Sequence, residues 1–553
     1  MRAPLLAVLA CTFTAALAVT TCKPAGGCRG DYCGTLVFAT ASEPDVLLPP
    51  ASGSALSRDV HDQIFLRLAD IGMALNTVGD SGFEPLLAQH WTWENPLTLV
   101  FHLHPDARWH DGAPVTAADV AFTFDAYTDP QIGSAAALRR IATVTARDSL
   151  TAVFAFRQRY PEAFFDAVAH MRILPRHLLA DLPRGEWSTS PFARAPVGNG
   201  PYRFVSWTPG ERLELVADST FFLGRPHIRR LIWSFAPDLN AAVNMVVAGQ
   251  ADAFEFLGFG PNVERARAAP HLVVYPYLGT SYAYMALNLR APGDSTRPHA
   301  VFGDRDVRRA VAMAIDRECT TRGVLGDLAT VPNGPVSPAM ATVWNDMPPA
   351  APYDTAAAAQ LLASRGWRDS DGDGVRDRNG APLAFRLLVN QSPIRGQFAQ
   401  VIQEQLRLLG VRVEIEQIEN NTMFERAQAG RFDALIQVWA TDPSPAASVP
   451  QTWTRHGFGQ QNFGRYHNPA FERAVERASL TAGTVAEVRA NWRAAFEILN
   501  ADVPAVWLFA PTSHAAVHRR VADVRIRPDS WWALVWTWRI PPDNLIDRDR
   551  AER

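Results

Sequence analysis

Apolar and polar positions along this chain follow two periods, and the switches between them predict its elements. Residues 34–40 (GTLVFAT) read as a short apolar strand, broken by Ser42-Glu43-Pro44-Asp45. Residues 56–68 carry helical spacing. Thr98-Leu99-Val100-Phe101-His102-Leu103-His104 alternates with period two, the mark of a strand with one wet face. With residues 85–91 it brackets a hairpin. Residues 117–127 follow as a helix. Pro196-Val197-Gly198-Asn199-Gly200-Pro201-Tyr202 mixes glycine and proline closely enough to predict a rigid loop. Residues 202–207 and 212–217 then read as a hairpin, 231–235 as a strand, and 240–248 as a helix closed by Gly249.

From about Tyr282 the pattern resets. It predicts a strand at 284–288, an amphipathic helix at 306–317, and a helix at 354–364 with Asp354 as N-cap and Gly366 just past its end. Strands at 385–389, 411–417 and 434–438 alternate with helices at 398–409 and 422–429, and a late apolar strand covers 505–509. Strand alternating with helix predicts a mixed α/β lobe.

Length changes this picture first: 553 residues exceed a single core, so two or three domains are expected. The net charge of −3 argues against a nucleic-acid partner. At the N-terminus Arg2 precedes an apolar run at 5–19, the length of a secretory signal and short for a bilayer span. Two processing readings compete. Ala16-Leu17-Ala18 is a small-x-small cleavage site and would release a free protein. Val19-Thr20-Thr21-Cys22 resembles a lipobox and would anchor the protein through a lipid on Cys22; the polar stretch after it suits a tether, and this reading is favoured. Cys28 and Cys33 suit a small disulfide loop in an oxidising compartment, with a CxxxxC metal clip as the rival. Cys319, beyond the helix at 306–317, reads as an inert core thiol.

The stretch Trp109-His110-Asp111-Gly112-Ala113-Pro114-Val115-Thr116-Ala117-Ala118-Asp119-Val120 is a turn running into a helix. Asp111-Gly112 favours the turn, Thr116 can cap the helix, and Asp119 puts negative charge in its first turn. None of this is catalytic. The stretch resembles the signature of the family 5 extracellular solute-binding proteins, the dipeptide- and oligopeptide-binding receptors of ABC importers. Further segments resemble the same family in order: 85–91, Phe101-His102-Leu103, Val197-Gly198-Asn199-Gly200-Pro201-Tyr202 (Asn199 for the family's Thr), Asp306-Val307-Arg308-Arg309-Ala310 with Ala314-Ile315-Asp316-Arg317, 353–367, 462–471, and Asp502-Val503-Pro504-Ala505-Val506-Trp507. The resemblance implies an α/β, two-lobed periplasmic-binding-protein fold of the type II-like, large peptide-binding class, with an extra domain inserted in lobe 1. It divides the chain into a signal (1–21), a tether (22–33), lobe 1 (34–65, 194–281 and 507–553), an inserted domain (66–193) and lobe 2 (282–506). Two crossing strands would form the hinge. It further implies a monomeric extracytoplasmic receptor, without cofactor or catalysis, that hands a peptide or similar small polar solute to the transmembrane subunits of an ABC permease.

Candidate binding residues follow. Trp439-Ala440-Thr441-Asp442 ends an apolar strand and resembles the family's W-x-x-D, whose carboxylate pairs with the ligand's α-ammonium. Pro443-Ser444-Pro445 departs from the acidic residues the family often carries next, so sugars, metal chelates and haem stand as alternative cargoes. Trp439 could wall the pocket, Ala41, Ser42 and Glu43 follow the first strand where family members present ligand-facing groups, and Tyr282 lies at the expected hinge. Asp369, Asp371, Asp373 and Asp377 carry calcium-loop spacing, but Gly380 replaces the bidentate Glu, so an acidic hairpin is the leading reading. His102 and His104, with His110 nearby, raise a different class, a metal-dependent hydrolase, which would need further His and Asp at later strand ends.

Overall fold

The computed structural model describes residues 32–132, 136–258 and 260–551; the expected signal and the expected tether up to residue 31, with Cys22 and Cys28, lie outside the described residues. Cys33 is disulfide-bonded. Among the described residues no helix is long and apolar enough to cross a membrane.

The first strand, β1 (Cys33–Thr40), is buried at every position. Helix α1 (Ala55–Ile64) follows, its N-terminus capped by the Ser54 hydroxyl. An antiparallel four-stranded sheet comes next: β2 (Ala88–Asn95), β3 (Thr98–Leu103), β4 (Ile141–Ala146) and β5 (Thr151–Phe156), ordered β2-β3-β5-β4. The predicted hairpin is β2–β3. Helix α2 (Ala117–Thr128) starts with a reciprocal capping box between Thr116 and Asp119. Helix α3 (Ala163–Ala169) leads to the predicted hairpin, β6 (Tyr202–Thr208) with β7 (Arg212–Ala217), and then β8 (Ile228–Phe235), which lies antiparallel to β7 and parallel to β1.

The second half builds on β9 (Leu272–Leu278), β10 (Ser281–Leu287), β11 (Ala384–Val389), β12 (Arg412–Gln417), β13 (Ala434–Ala440) and β14 (Ala505–His518). Helix α4 (Pro393–Leu408) connects β11 to β12, and α5 (Pro445–Trp453) follows β13. β11 runs parallel to both β12 and β13. Ala283, Met285 and Leu287 of β10 enter one core and Tyr282, Tyr284 and Ala286 another, so this sheet is covered on both faces and its strands read as continuous apolar runs. The first half has its own large core, which the β2–β5 sheet shares with β1 and the C-terminal Trp531, Trp532 and Trp538.

The two lobes are joined by one continuous hydrogen-bonded sheet. β14 pairs with β10 through its N-terminal part and with β9 through its C-terminal part, so a single strand crosses from lobe to lobe. It is far longer than the predicted 505–509. Gly279, between β9 and β10, lies against it: a Cβ there would sit 2.3 Å from the Pro511 carbonyl oxygen. Only glycine permits this approach.

Two helices depart from their predicted bounds, one at a tertiary contact and one at a local cap. The helix predicted to reach residue 68 stops at Ile64, whose carbonyl accepts from Asn199 N (3.0 Å) and Gly200 N (2.8 Å), while Asn199 Oδ1 takes Leu66 N at 2.8 Å. A Cβ on Gly198 would lie 2.0 Å from Ile64 O, which fixes that glycine. His110 clamps the same loop: its Nδ1 accepts from Gly198 N and its Nε2 faces Gly200 O. Burial lowers the His110 pKa to about 4, so the ring is the neutral tautomer this pattern needs. The helix predicted at 306–317 divides into Arg305–Met313 and Arg317–Leu325, because Asp316 caps the second by accepting from Cys319 N. Cys319 is exposed there, not a core thiol.

The C-terminal segment returns to the first lobe through a buried charge cluster. Arg520 donates to both oxygens of Asp252 (2.7 and 2.9 Å), to Asp549 (2.6 Å) and to Thr35 O. Asp252 also accepts from Val37 N, and Asp549 from Thr35 N, so four distant segments meet on one guanidinium. Removing one partner of such a cluster leaves a buried charge uncompensated, costing about 3–5 kcal/mol. We therefore expect Asp252→Ala to lower the denaturant midpoint by that equivalent in chemical unfolding; an unchanged midpoint would show the cluster to be dispensable.

Candidate functional site

A cavity of about 580 Å³ opens where the lobes meet. Its first-lobe wall comes from α1 (Arg58, Asp59, Asp62), from His170 just past α3, and from Arg527, Asp529 and Ser530. Its second-lobe wall is the crossing point itself: Thr280 and the run Ala440-Thr441-Asp442-Pro443 at the end of β13. Thr441 donates its N–H (2.7 Å) and its hydroxyl (2.9 Å) to Thr280 O, so this wall is pinned to the hinge.

Most of the wall's charges are paired. Asp62 accepts from Arg172 (2.5 and 3.0 Å) and Ser530 (2.8 Å) and lies 3.1 Å from Arg67. Burial alone would raise its pKa, but the two guanidiniums hold it well below the usual carboxylate range. Arg527 is shared by Asp70 and Asp529. Asp442 differs. It accepts from Ser444 N at 2.8 Å, and burial raises its pKa, with His170 opposing weakly. It has no ion-pair partner among the described residues, and His170 is instead 3.3 Å from Asp166.

The predicted residues divide accordingly. Asp442 lines the cavity. Tyr282 does not: it is 1% exposed, packs beside Tyr284 and Trp507, and accepts from Trp453 Nε1. The cleft-facing position of that segment is Thr280. Trp439 is half-buried against the second-lobe core, outside the cavity wall, with its indole N–H buried and unpartnered. Ala41 and Ser42 are exposed outside the cavity, and Glu43 is tied to the β6–β7 hairpin, accepting from Trp207 Nε1 (2.8 Å) and Gly210 N (3.1 Å). Strand alternation and hairpin contacts, invisible in spacing alone, move these five away.

The metal candidates also separate. Oxygens of Asp369, Asp371 and Asp373 lie within 4.8 Å of one another on an exposed turn, but Asp377 turns away to accept from Ser370 N and Oγ. That acidic trio is the sole such grouping among the described residues. His102 stacks on His90, His104 packs on Phe222, and His110 holds the Gly198 loop, so the three histidines do not assemble a ligand set.

Sequence reasoning missed the first-lobe wall. Asp59 and Asp62 sit three apart on α1, but nothing local distinguishes them from a solvated face. Arg395, which the sequence did not single out, lies outside the lining of this cavity. It sits in the first turn of α4, after β11, whose C-terminal end points to the same sheet edge as that of β13. One of its guanidinium nitrogens is buried without a partner.

Residues 82–461 match the family described as bacterial extracellular solute-binding proteins, family 5 Middle. The chain belongs to that family. Its members are solute receptors of transporters rather than enzymes, and they act outside the cytoplasm. The chain is 25% identical to the oligopeptide-binding protein AppA of Bacillus subtilis over 525 residues, covering 90% of this chain and 91% of AppA. The crystal structure of that AppA with a nonapeptide superposes with a TM-score of 0.71 at 24% identity, covering 92% and 99% of the two chains. NikZ of Campylobacter jejuni in complex with Ni(L-His) superposes with a TM-score of 0.73 at 22% identity, covering 91% and 99%. The fold is thus the two-lobed periplasmic-binding architecture expected from the family 5 motifs.

The lobes also touch through a buried carboxyl. Glu162, just before α3, accepts from Thr77 Oγ1 at 2.7 Å and from the hydroxyl of Ser444, two residues from Asp442. Burial pushes its pKa up to about 8, Ser444 and Thr77 opposing and Asp166 and Asp442 adding. Its neutral form therefore favours the touching lobes. Separation returns it to an ordinary carboxyl, so the contact is fully favoured below the usual carboxyl pKa and weakens as pH rises toward about 8. We expect small-angle scattering of the ligand-free protein to show expansion across that range, with Asp442 contributing in the same sense. Glu162→Gln, which keeps one acceptor oxygen and can donate its amide to the other hydroxyl, should flatten most of the profile; an unchanged profile in that variant would remove Glu162 from the effect.

Proposed function

We propose that this protein is the peptide-binding component of an ABC importer, with Asp442 anchoring the amino terminus of its cargo. The observation that carries this reading is a desolvated carboxylate without an ion-pair partner among the described residues, placed where the lobes meet, in a chain similar over 90% of its length to oligopeptide-binding AppA. An ammonium entering that site makes a charge-assisted hydrogen bond in a water-poor setting, stronger than a neutral one. Charged side chains of both signs stand on the cavity wall beside apolar ones such as Ile71, Phe83 and Phe165, a mixture that suits a zwitterionic cargo with side chains of its own.

Closure about β9–β10 and β14 drives capture. A ligand shifts that equilibrium only by binding the closed form better, and one that touches both walls does so. The loaded form is then recognised by the permease's transmembrane subunits. We assign residues 34–65, 194–281 and 507–553 to lobe 1, 66–193 to the insert that shares its core, and 282–506 to lobe 2. The same proposal has the receptor monomeric and held at the membrane by a lipid on Cys22.

The test compares peptides that carry a free amino terminus with their N-acetylated counterparts. By calorimetry, Asp442→Asn should weaken the former by roughly ten- to a hundredfold, the equivalent of ~1.5–3 kcal/mol for a hydrogen bond to a charged group, and the latter far less. Equal losses would remove Asp442 from the ammonium role. Mass spectrometry of co-purified small molecules identifies the natural cargo independently.

A further inference from the structure

Charges on the wall of the interlobe cavity do not cancel in pairs. Arg67 and Arg172 both serve Asp62, and Arg527 serves Asp70 and Asp529. Asp442 is left for the cargo's amino terminus, and on α1 the adjacent Arg58 and Asp59 remain outside these pairs. Asp59 stands on α1, three residues before Asp62, and lines the cavity from the first lobe. Among the described residues no cationic side chain lies within ion-pair distance of it; its neighbour Arg58 is exposed. Next to it is Glu255, which accepts from Trp532 Nε1 at 2.6 Å and also lacks an ion-pair partner. Desolvated like charges with no counter-ion are costly unless something else supplies the opposite charge.

We infer that Asp59, backed by Glu255, forms a second anchoring subsite that takes a cationic side chain of the cargo, so that the receptor prefers basic peptides to neutral ones. The inference rests on the peptide reading above. Asp59 belongs to the first lobe and Asp442 to the second. A cargo with two cations therefore bridges the lobes, and both contacts exist together only when the lobes are closed, which is where differential affinity arises. Burial first, then Glu255 and Asp62, hold the Asp59 pKa well above its ordinary value, with Arg58 and Arg172 opposing; burial raises Glu255 to about 7, and the Tyr277 ring faces the same pair. The empty pair thus holds protons more tightly than free carboxyls do. An arriving ammonium or guanidinium favours the ionised form and expels proton, so basic cargo binds with proton release.

Titration calorimetry of the full mature chain tests this with alanyl-lysyl-alanine, alanyl-methionyl-alanine and the linear diamine 1,5-diaminopentane. The lysyl peptide should bind about ten- to a hundredfold tighter than the methionyl peptide, with a binding enthalpy that depends on the ionisation heat of the buffer. In Asp59→Asn, and less strongly in Glu255→Gln, which keeps an acceptor for Trp532, the ratio should collapse toward unity and the buffer dependence should fade. Equal affinities in the wild type, or a ratio that survives both variants, would overturn the subsite and leave the peptide reading intact. If neither peptide binds but the diamine does so in an Asp59-dependent way, the subsite stands and the peptide reading falls. If nothing binds, both fall.

Discussion

One strand shared by two lobes governs this molecule. β14 gives its first residues to the sheet of the second lobe and its last to that of the first, and β9–β10 runs antiparallel to it through the same crossing. Because the sheet is continuous, the lobes cannot slide apart; they can only rotate about the backbone near Gly279 and Pro511. The glycine is fixed there by its contact with Pro511 O. Every feature of the cavity depends on this geometry, since its floor, Thr280 and Thr441, is the crossing itself.

Around that crossing, charge is arranged in two tiers. Away from the cavity, the Arg520 guanidinium is saturated by Asp252 and Asp549; on its wall, Arg527 is held by Asp70 and Asp529. Such buried pairs contribute little net stability over apolar packing, but they fix which segments meet. Also on the cavity surface stand Asp59 and Asp442, carboxylates with no ion-pair partner among the described residues. A receptor that must let go of its cargo gains from this contrast. Its scaffold is indifferent to loading, while its wall is not.

The motifs that pointed to the family turn out to be scaffold parts. His110, from the Trp109-His110-Asp111-Gly112 turn, and Gly198-Asn199-Gly200 hold each other and seize the carbonyl of Ile64. They thereby end α1 and set the helix that carries Asp59 and Asp62 into the cavity. Residues distinctive enough to mark the family are those whose backbone geometry tolerates no substitute. The cavity wall uses ordinary aspartates and arginines, which carry no such mark.

The sequence by itself determined the alternation of strands and helices, both hairpins, the capping of α2 and the position of Asp442 at the end of β13. Each of these depends on neighbours a few residues apart. Only the tertiary structure decided the rest. It stopped α1 at Ile64, extended β14 to His518, drew Tyr282 into the core and Glu43 to Trp207, and set Asp59 beside Glu255. Those outcomes join residues up to several hundred positions apart. A local pattern records what a segment can become, whereas the partner that selects among those possibilities arrives through space and leaves no trace in spacing.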